Sequence, residues 1–191
     1  MSLRRRAAAV AAVSGLAACS TAVAAPHAAA PARSAAAACR SADQTTTNAT
    51  VSELASGVRC LLNQQRAGHG APATSANRRL AVAARGHAAD MVARHYFAHT
   101  SLGGATFVDR IRRTGYVPSQ GPWAVGEILA WASGTQATPR GIVDAWMASP
   151  EHRQILLDPK FSEVGVGVTV GAPRADQSPA LTVAADFGKV G

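Results

Sequence analysis

The chain is poor in lysine and in aromatic residues. Lys160 and Lys189 are its only lysines, so the 19 basic residues are almost all arginines; with 11 acidic residues they give a net charge of +8. Such a charge favours anionic lipids or cell-wall polymers, or serves solubility alone. Aromatic residues make up only 5% of the chain and do not alternate with the arginines, so nucleic-acid binding through stacked bases is not expected.

Two signatures of hydrolases are absent from the sequence. There is no HExxH pair of zinc-binding histidines and no G-x-S-x-G turn around a nucleophilic serine. Asp109 and Asp144 also lack the spacing of a calcium-binding loop. No short motif therefore identifies the chain as an enzyme.

The chain also lacks an apolar run long enough to span a bilayer, which takes about 20 residues. The apolar run Ala7–Ala18 is too short for that; it follows three arginines and precedes the small residues Ala22–Ala24. This layout predicts a secretory signal peptide over residues 1–24, whose removal lowers the net charge to +5. Leu16–Cys19 also resembles a lipobox, so the alternative is a lipoprotein anchored to the membrane through Cys19. Both interpretations place the protein outside the cytoplasm.

Cysteine is scarce, and its number fits an exported chain. Once Cys19 is removed or lipidated, Cys39 and Cys60 remain. An even pair in an oxidising compartment predicts a disulfide, which would staple the N-terminal arm to the first helix. Two buried free thiols are the alternative.

The remaining sequence predicts one α+β domain. Residues 25–44 are rich in Ala and Pro and are predicted to form a flexible leader, with the domain over residues 45–191. Apolar residues recur at helical spacing in the first part, with helix starts expected at Thr50 and Ser75. Strand patterns follow over residues 127–131, 163–170 and 180–187. In the second of these strands, glycines occupy one face, which indicates close approach by another backbone or helix.

Three polar residues stand out on apolar elements. His99 follows the second predicted helix, Glu127 begins a strand and His152 opens a short helix. Such groups usually meet a charge, a metal or each other, because burying them alone is costly. A polar cluster that only ties helices to the sheet is the alternative. His87 is expected to be a hydrogen-bonded core histidine, and Arg110, Arg112 and Arg113 are expected to form a solvated helix face.

The order of several motifs resembles that of the CAP superfamily, which comprises cysteine-rich secretory, antigen 5 and pathogenesis-related proteins, and above all its bacterial SCP-like branch. The similarity extends over about residues 50–188. The segments that carry it are His87–Met91, Tyr96–His99, Gly115–Tyr116, Gly126–Glu127, Trp146–Arg153 and Phe161–Gly167.

The resemblance implies a three-layer α-β-α sandwich with a cleft where His99, Glu127 and His152 meet. In several members such a cleft binds a divalent metal, and two imidazoles with one carboxylate suit zinc. Ser149 stands where many members have a second glutamate, and Ile128 replaces the asparagine of a Gly-Glu-Asn motif.

Both departures weaken catalysis more than binding. The sequence therefore predicts a secreted module that binds a lipid-like or cell-envelope ligand, or acts as a scaffold. The alternative is a metal-dependent hydrolase of peptide or cell-wall substrates, with Glu127 as its catalytic residue.

Overall fold

A computed structural model describes residues 39–174 and 177–191. The predicted signal peptide, the lipobox and Cys19 lie outside these residues. The helices are α1 (Val51–Gly68), α2 (Arg78–Ala93), α3 (Phe107–Arg113), α4 (Pro139–Ala148) and α5 (Pro150–Leu157). The strands are β1 (Ser75–Ala76), β2 (Trp123–Ser133), β3 (Glu163–Val170) and β4 (Ala180–Val190).

The four strands form one sheet in the order β1-β3-β4-β2, with helices on both faces. β4 pairs antiparallel with β2 and β3, whereas β1 joins β3 in parallel over two residues. Apolar side chains of α1, α4 and α5 pack against one face of the sheet, and those of α2 and α3 against the other. The predicted α+β sandwich is confirmed. β2 and β4 are longer than predicted because they pair with each other over eleven residues.

Side-chain caps fix where the helices begin. Thr50 and Glu53 form the predicted capping box at the start of α1, each accepting from the other's backbone N–H. Ser75 does not cap α2, as the sequence had suggested; it belongs to β1, and Asn77 accepts from the second and third N–H groups of the helix. Because α2 starts right after β1, the short strand sets the position of the helix over the sheet.

Two glycines of β3 bring α2 close to the sheet. A methyl group at Gly165 would overlap the backbone of Leu80 and Ala81, and one at Gly167 would overlap that of Ala84 and Arg85. The predicted close approach is therefore confirmed, and the element that approaches is the backbone of α2. This contact holds α2 in place on the face of the sheet that also carries Glu127.

The segment before α1 is packed rather than loose. Cys39 is bonded to Cys60 of α1, as predicted. Ala42 is buried, and Asp43 forms an ion pair with Arg140 of α4, with 2.6 Å between Oδ1 and Nε. Residues 39–44, assigned to a flexible leader from their composition, therefore lie against the domain because a covalent bond and an ion pair hold them there.

Over the described residues, no helix combines the length and hydropathy needed to span a bilayer.

Candidate functional site

Glu127 is the centre of the site. It lies on β2, and its side chain is fully buried on the sheet face that packs against α2 and α3. Its Oε1 is 2.8 Å from Nδ1 of His99, and its Oε2 is 2.7 Å from Nη2 of Arg110. Both carboxylate oxygens therefore have a donor, and one permanent positive charge compensates the buried negative charge.

Arg110 is part of the site and not of a solvated helix face. Its side chain is only 9% exposed, and besides Glu127 it donates to the carbonyl oxygens of His99 and Ala105 and to the hydroxyl of Ser101. The prediction failed because all three arginines of α3 were treated as one face. Arg110 precedes the buried Ile111 and lies one turn after Phe107, which places it on the inward side of the helix.

His99 is the member of the site that solvent and ligands can reach. It lies in the loop after α2, where His95 takes a positive φ of 53° just past the end of the helix. Its side chain is 53% exposed. Because a carboxylate only accepts hydrogen bonds, Nδ1 of His99 carries the proton toward Glu127. In the neutral form of this ring, the lone pair of the other nitrogen, Nε2, is free for a ligand.

Asp186 is the residue that the sequence analysis missed. It lies directly opposite Glu127 in the antiparallel β2–β4 pair and is completely buried. Neither of its oxygens has a donor among the described residues. Burial, and after it the charge of Glu127, raise the pKa of Asp186 well above its ordinary value. The raised pKa favours the protonated form of Asp186, whose hydroxyl group then faces Glu127 across the strand pair. The sequence did contain a signal for this residue, because Asp186 is the one acidic residue in the apolar stretch that forms β4.

A second group of polar side chains supports the loop that carries His99. His87 on α2 is buried, and its Nε2 lies 2.9 Å from the carbonyl oxygen of Ala98, to which it donates. Tyr96 donates to Asp90, one turn further along α2. Burial lowers the pKa of His87, which keeps the ring neutral. The predicted core role of His87 is confirmed, and the bond to Ala98 also fixes the backbone next to His99.

His152 approaches the site from the other layer. It lies in the first turn of α5, after Ser149 and Pro150, and is half-buried. Burial, and after it the electrostatic influence of nearby His99, lower the pKa of His152. The side chain of Ser149, which takes the place of a family glutamate, makes no capping bond to α5. The structure thus brings His152 within electrostatic range of His99 but not into the hydrogen-bonded group around Glu127.

The predicted zinc site needs Glu127 as its third ligand, and the observed bonds do not fit that role. Both oxygens of Glu127 are engaged, one of them by a guanidinium group. The described part of the chain holds no group of three His, Cys, Asp or Glu side chains arranged to bind a metal. Zinc sites in proteins usually have three or four protein ligands, and here only two imidazoles remain. The zinc site stays a prediction from the resemblance.

Comparisons with known proteins agree with this fold. The chain is 33% identical over 125 residues to the uncharacterized protein YkwD of Bacillus subtilis, which covers 64% of this chain and 46% of YkwD. An extracellular protein containing an SCP domain from Bacillus anthracis superposes with a TM-score of 0.56 at 25% identity, over 73% of this chain and 43% of that one. An outer surface protein of Borrelia burgdorferi superposes with a TM-score of 0.61 at 20% identity, over 75% and 97% of the two chains.

The Bacillus relatives are longer proteins, of which this chain spans less than half. The family model described as "CAP: Cysteine-rich secretory protein family" matches residues 61–184, a range that contains His99, Glu127 and His152 as well as Arg110. This range is about two thirds of the chain. The protein therefore belongs to the CAP family of cysteine-rich secretory proteins.

Proposed function

We propose that this protein is an extracellular binding module that recognises an amphiphilic ligand of the cell envelope through His99 and His152. Glu127, Arg110 and Asp186 form the buried base that holds His99 in place. The ligand's polar group meets the imidazoles, and its apolar part meets the loop around His99. That loop carries two large exposed apolar side chains, Phe97 and Leu102.

The observation that carries this proposal is the saturation of Glu127. A general base needs a free oxygen within reach of the water or hydroxyl that it deprotonates. Both oxygens of Glu127 are within 2.8 Å of a donor, and the side chain has no exposure to solvent. Glu127 is therefore suited to orienting His99 and not to attacking a substrate. The group offered to the outside is an imidazole with a fixed tautomer.

Two observations support a location outside the cell. Disulfides such as Cys39–Cys60 persist in oxidising compartments and are rare in the cytosol. The similar structures named above come from an extracellular protein and an outer surface protein. The predicted signal peptide agrees with both.

Hydrolysis is the second candidate, and one observation favours it. A histidine whose Nδ1 donates to a buried carboxylate is the arrangement that orients a general base in hydrolases. His99 and Glu127 have this arrangement. Glu127→Gln tests it directly, because it removes the negative charge that stabilises a protonated His99. Turnover of muropeptides or peptides that is lost in this variant would favour the hydrolase over the binding module.

The binding proposal is tested by calorimetric titration with two probes. Muropeptides from purified peptidoglycan represent the cell wall, and lysophosphatidylglycerol below its micelle concentration represents the envelope lipids. We expect one of them to bind, and His99→Ala/His152→Ala to weaken that binding at least about tenfold, or about 1.4 kcal/mol. His69→Ala, at an exposed histidine on the C-terminal side of α1, is the matched control and should bind as the wild type does. Equal binding by the double variant would overturn the proposal.

A further inference from the structure

A groove lies along β3, at the edge of the sheet opposite to β2. It begins where the two-residue strand β1 ends. Its walls are α1, with Ala55 and Arg59, and α2, with Ala81 and Arg85; Val166 and Val168 of β3 form its floor. It encloses about 610 Å³. None of these residues belongs to the His99 site, so the groove is a separate surface.

The floor of this groove is an unpaired strand edge. β1 covers only the start of β3, where the N–H groups of Ser75 and Asn77 donate to Ser162 and Val164. Because N–H and C=O groups of alternate residues point to the same side of a strand, those of Val166 and Val168 also face the groove. Neither residue has a backbone partner on that side within the described ranges. An extended chain placed here would continue the line that β1 begins.

The rim of the groove is positively charged. Arg59, Arg78 and Arg85 all line it, and none of them forms an ion pair or a side-chain hydrogen bond within residues 39–174 and 177–191. No acidic side chain is among the described residues that line the groove. Two largely buried arginines, by contrast, have partners: Arg66 donates to four backbone carbonyls, and Arg110 to Glu127. The rim thus presents three uncompensated charges.

We propose that this groove binds an extended acidic segment of another protein, which adds a strand to the open edge of β3. The main-chain groups of Val166 and Val168 would bond to the backbone of the segment, as in other cases of strand addition. Its acidic side chains would meet Arg59 on one face and Arg78 and Arg85 on the other. The free edge selects a polypeptide, and the arginines select its charge.

The positive charge of the rim also disfavours two other occupants of the groove, a second copy of this chain and the chain's own N-terminal residues. Edge-to-edge pairing with a second copy would place two identical sets of arginines against each other, which disfavours it. The chain's own residues 1–38 contain no Asp or Glu and four arginines. They do not complement the rim, so the partner comes from elsewhere.

The test uses the full disulfide-bonded protein and a short fluorescent peptide of alternating valine and glutamate, followed by anisotropy. We expect saturable binding that weakens with added salt, and no binding of the matched valine–lysine peptide. Arg59→Ala/Arg85→Ala should weaken binding about tenfold, because each exposed pair contributes up to about 1 kcal/mol. Arg112→Ala/Arg113→Ala, on the exposed face of α3, removes the same charge elsewhere and should have no comparable effect.

A backbone variant distinguishes strand addition from simple charge attraction. Val166→Pro deletes an N–H that faces the groove and takes no part in the ladder with β4, so the fold should persist. We expect it to abolish peptide binding while the circular dichroism spectrum is unchanged. Absence of binding to the acidic peptide, or undiminished binding by Arg59→Ala/Arg85→Ala, would overturn the proposal. So would binding of phosphatidylglycerol vesicles, but not of the peptide, through the same arginines, since that outcome identifies a membrane surface.

Discussion

Glu127 and Asp186 face each other across the β2–β4 pair, and neither carboxyl group reaches solvent. Two ionised carboxylates in this position would repel each other strongly. Arg110 supplies one positive charge, enough for one of them. The pair therefore holds one proton, on Asp186, and one negative charge, on Glu127. This division of charge keeps Glu127 ionised and able to orient His99.

Replacement of Asp186 tests whether it carries the proton. Asp186→Asn keeps the shape and a donor toward Glu127, so we expect the free energy of unfolding at pH 4, before the pH effect described next sets in, to change by less than about 1 kcal/mol. Asp186→Ala leaves Glu127 without that donor and should destabilise the protein by about 2 kcal/mol. Urea denaturation of both variants measures the difference. An Asn variant as unstable as the Ala variant would show that Asp186 is ionised in the folded state.

The same proton makes stability depend on pH. The pKa of Asp186 is raised in the folded protein, so above the unfolded value of 3.8 the native state binds more protons than the unfolded state. The contribution of Asp186 to stability is then lost as pH rises from about 4 through the folded pKa. Relative to wild type, Asp186→Asn should gain stability over this window, by at most about 1.4 kcal/mol per pH unit. A constant difference between pH 4 and pH 8 would contradict the raised pKa.

Removal of Arg110 should be the most damaging change at the site. Arg110→Ala leaves the carboxylate of Glu127 buried without its cation, which typically costs about 3–5 kcal/mol. It also removes the hydrogen bonds that Arg110 donates to the carbonyl oxygens of His99 and Ala105. Arg113→Ala, on the exposed side of the same helix, is the control and should stay within about 0.5 kcal/mol of wild type. Thermal unfolding of the two variants compares them; equal melting temperatures would show that Arg110 does not compensate Glu127.

The contact between α2 and β3 gives a prediction about packing. Gly165→Ala places a methyl group on the backbone of Leu80 and Ala81, which cannot move aside as a side chain would. We expect a loss of about 3 kcal/mol. Gly86→Ala is the matched control, because this exposed glycine of α2 has open space around it and should gain about 0.5–1 kcal/mol. Chemical denaturation measures the free energy of unfolding of both variants. An unchanged value for Gly165→Ala would contradict the close contact between α2 and β3.

Local patterns in the sequence predicted much of the fold. The capping box at Thr50, the pairing of Cys39 with Cys60 and the glycine face of β3 are each written within a short stretch of chain. β1 and the full lengths of β2 and β4 were not predicted, because they depend on pairing between distant strands. Ser75 was mistaken for a helix cap because its role as a strand residue comes from Glu163, far along the chain.

The site was predicted only in part, for a similar reason. His99, Glu127 and His152 were selected through family motifs; the structure joins His99 and Glu127 by a hydrogen bond, and their joint role in binding stays a prediction. Arg110 and Asp186 were missed because each looks ordinary in its own segment. Their importance appears only when α3 and β4 bring them to the two sides of Glu127.

Zinc titration tests the central claim, that Glu127 is held between His99 and Arg110 and is not a metal ligand. Calorimetry on wild type, Glu127→Gln and His152→Ala should detect no zinc binding tighter than about 1 μM, or about −8.2 kcal/mol, in any of the three. One-to-one binding near 1 nM, or about −12.3 kcal/mol, that is lost in both variants would contradict it. That result would place His99, Glu127 and His152 together around a metal ion.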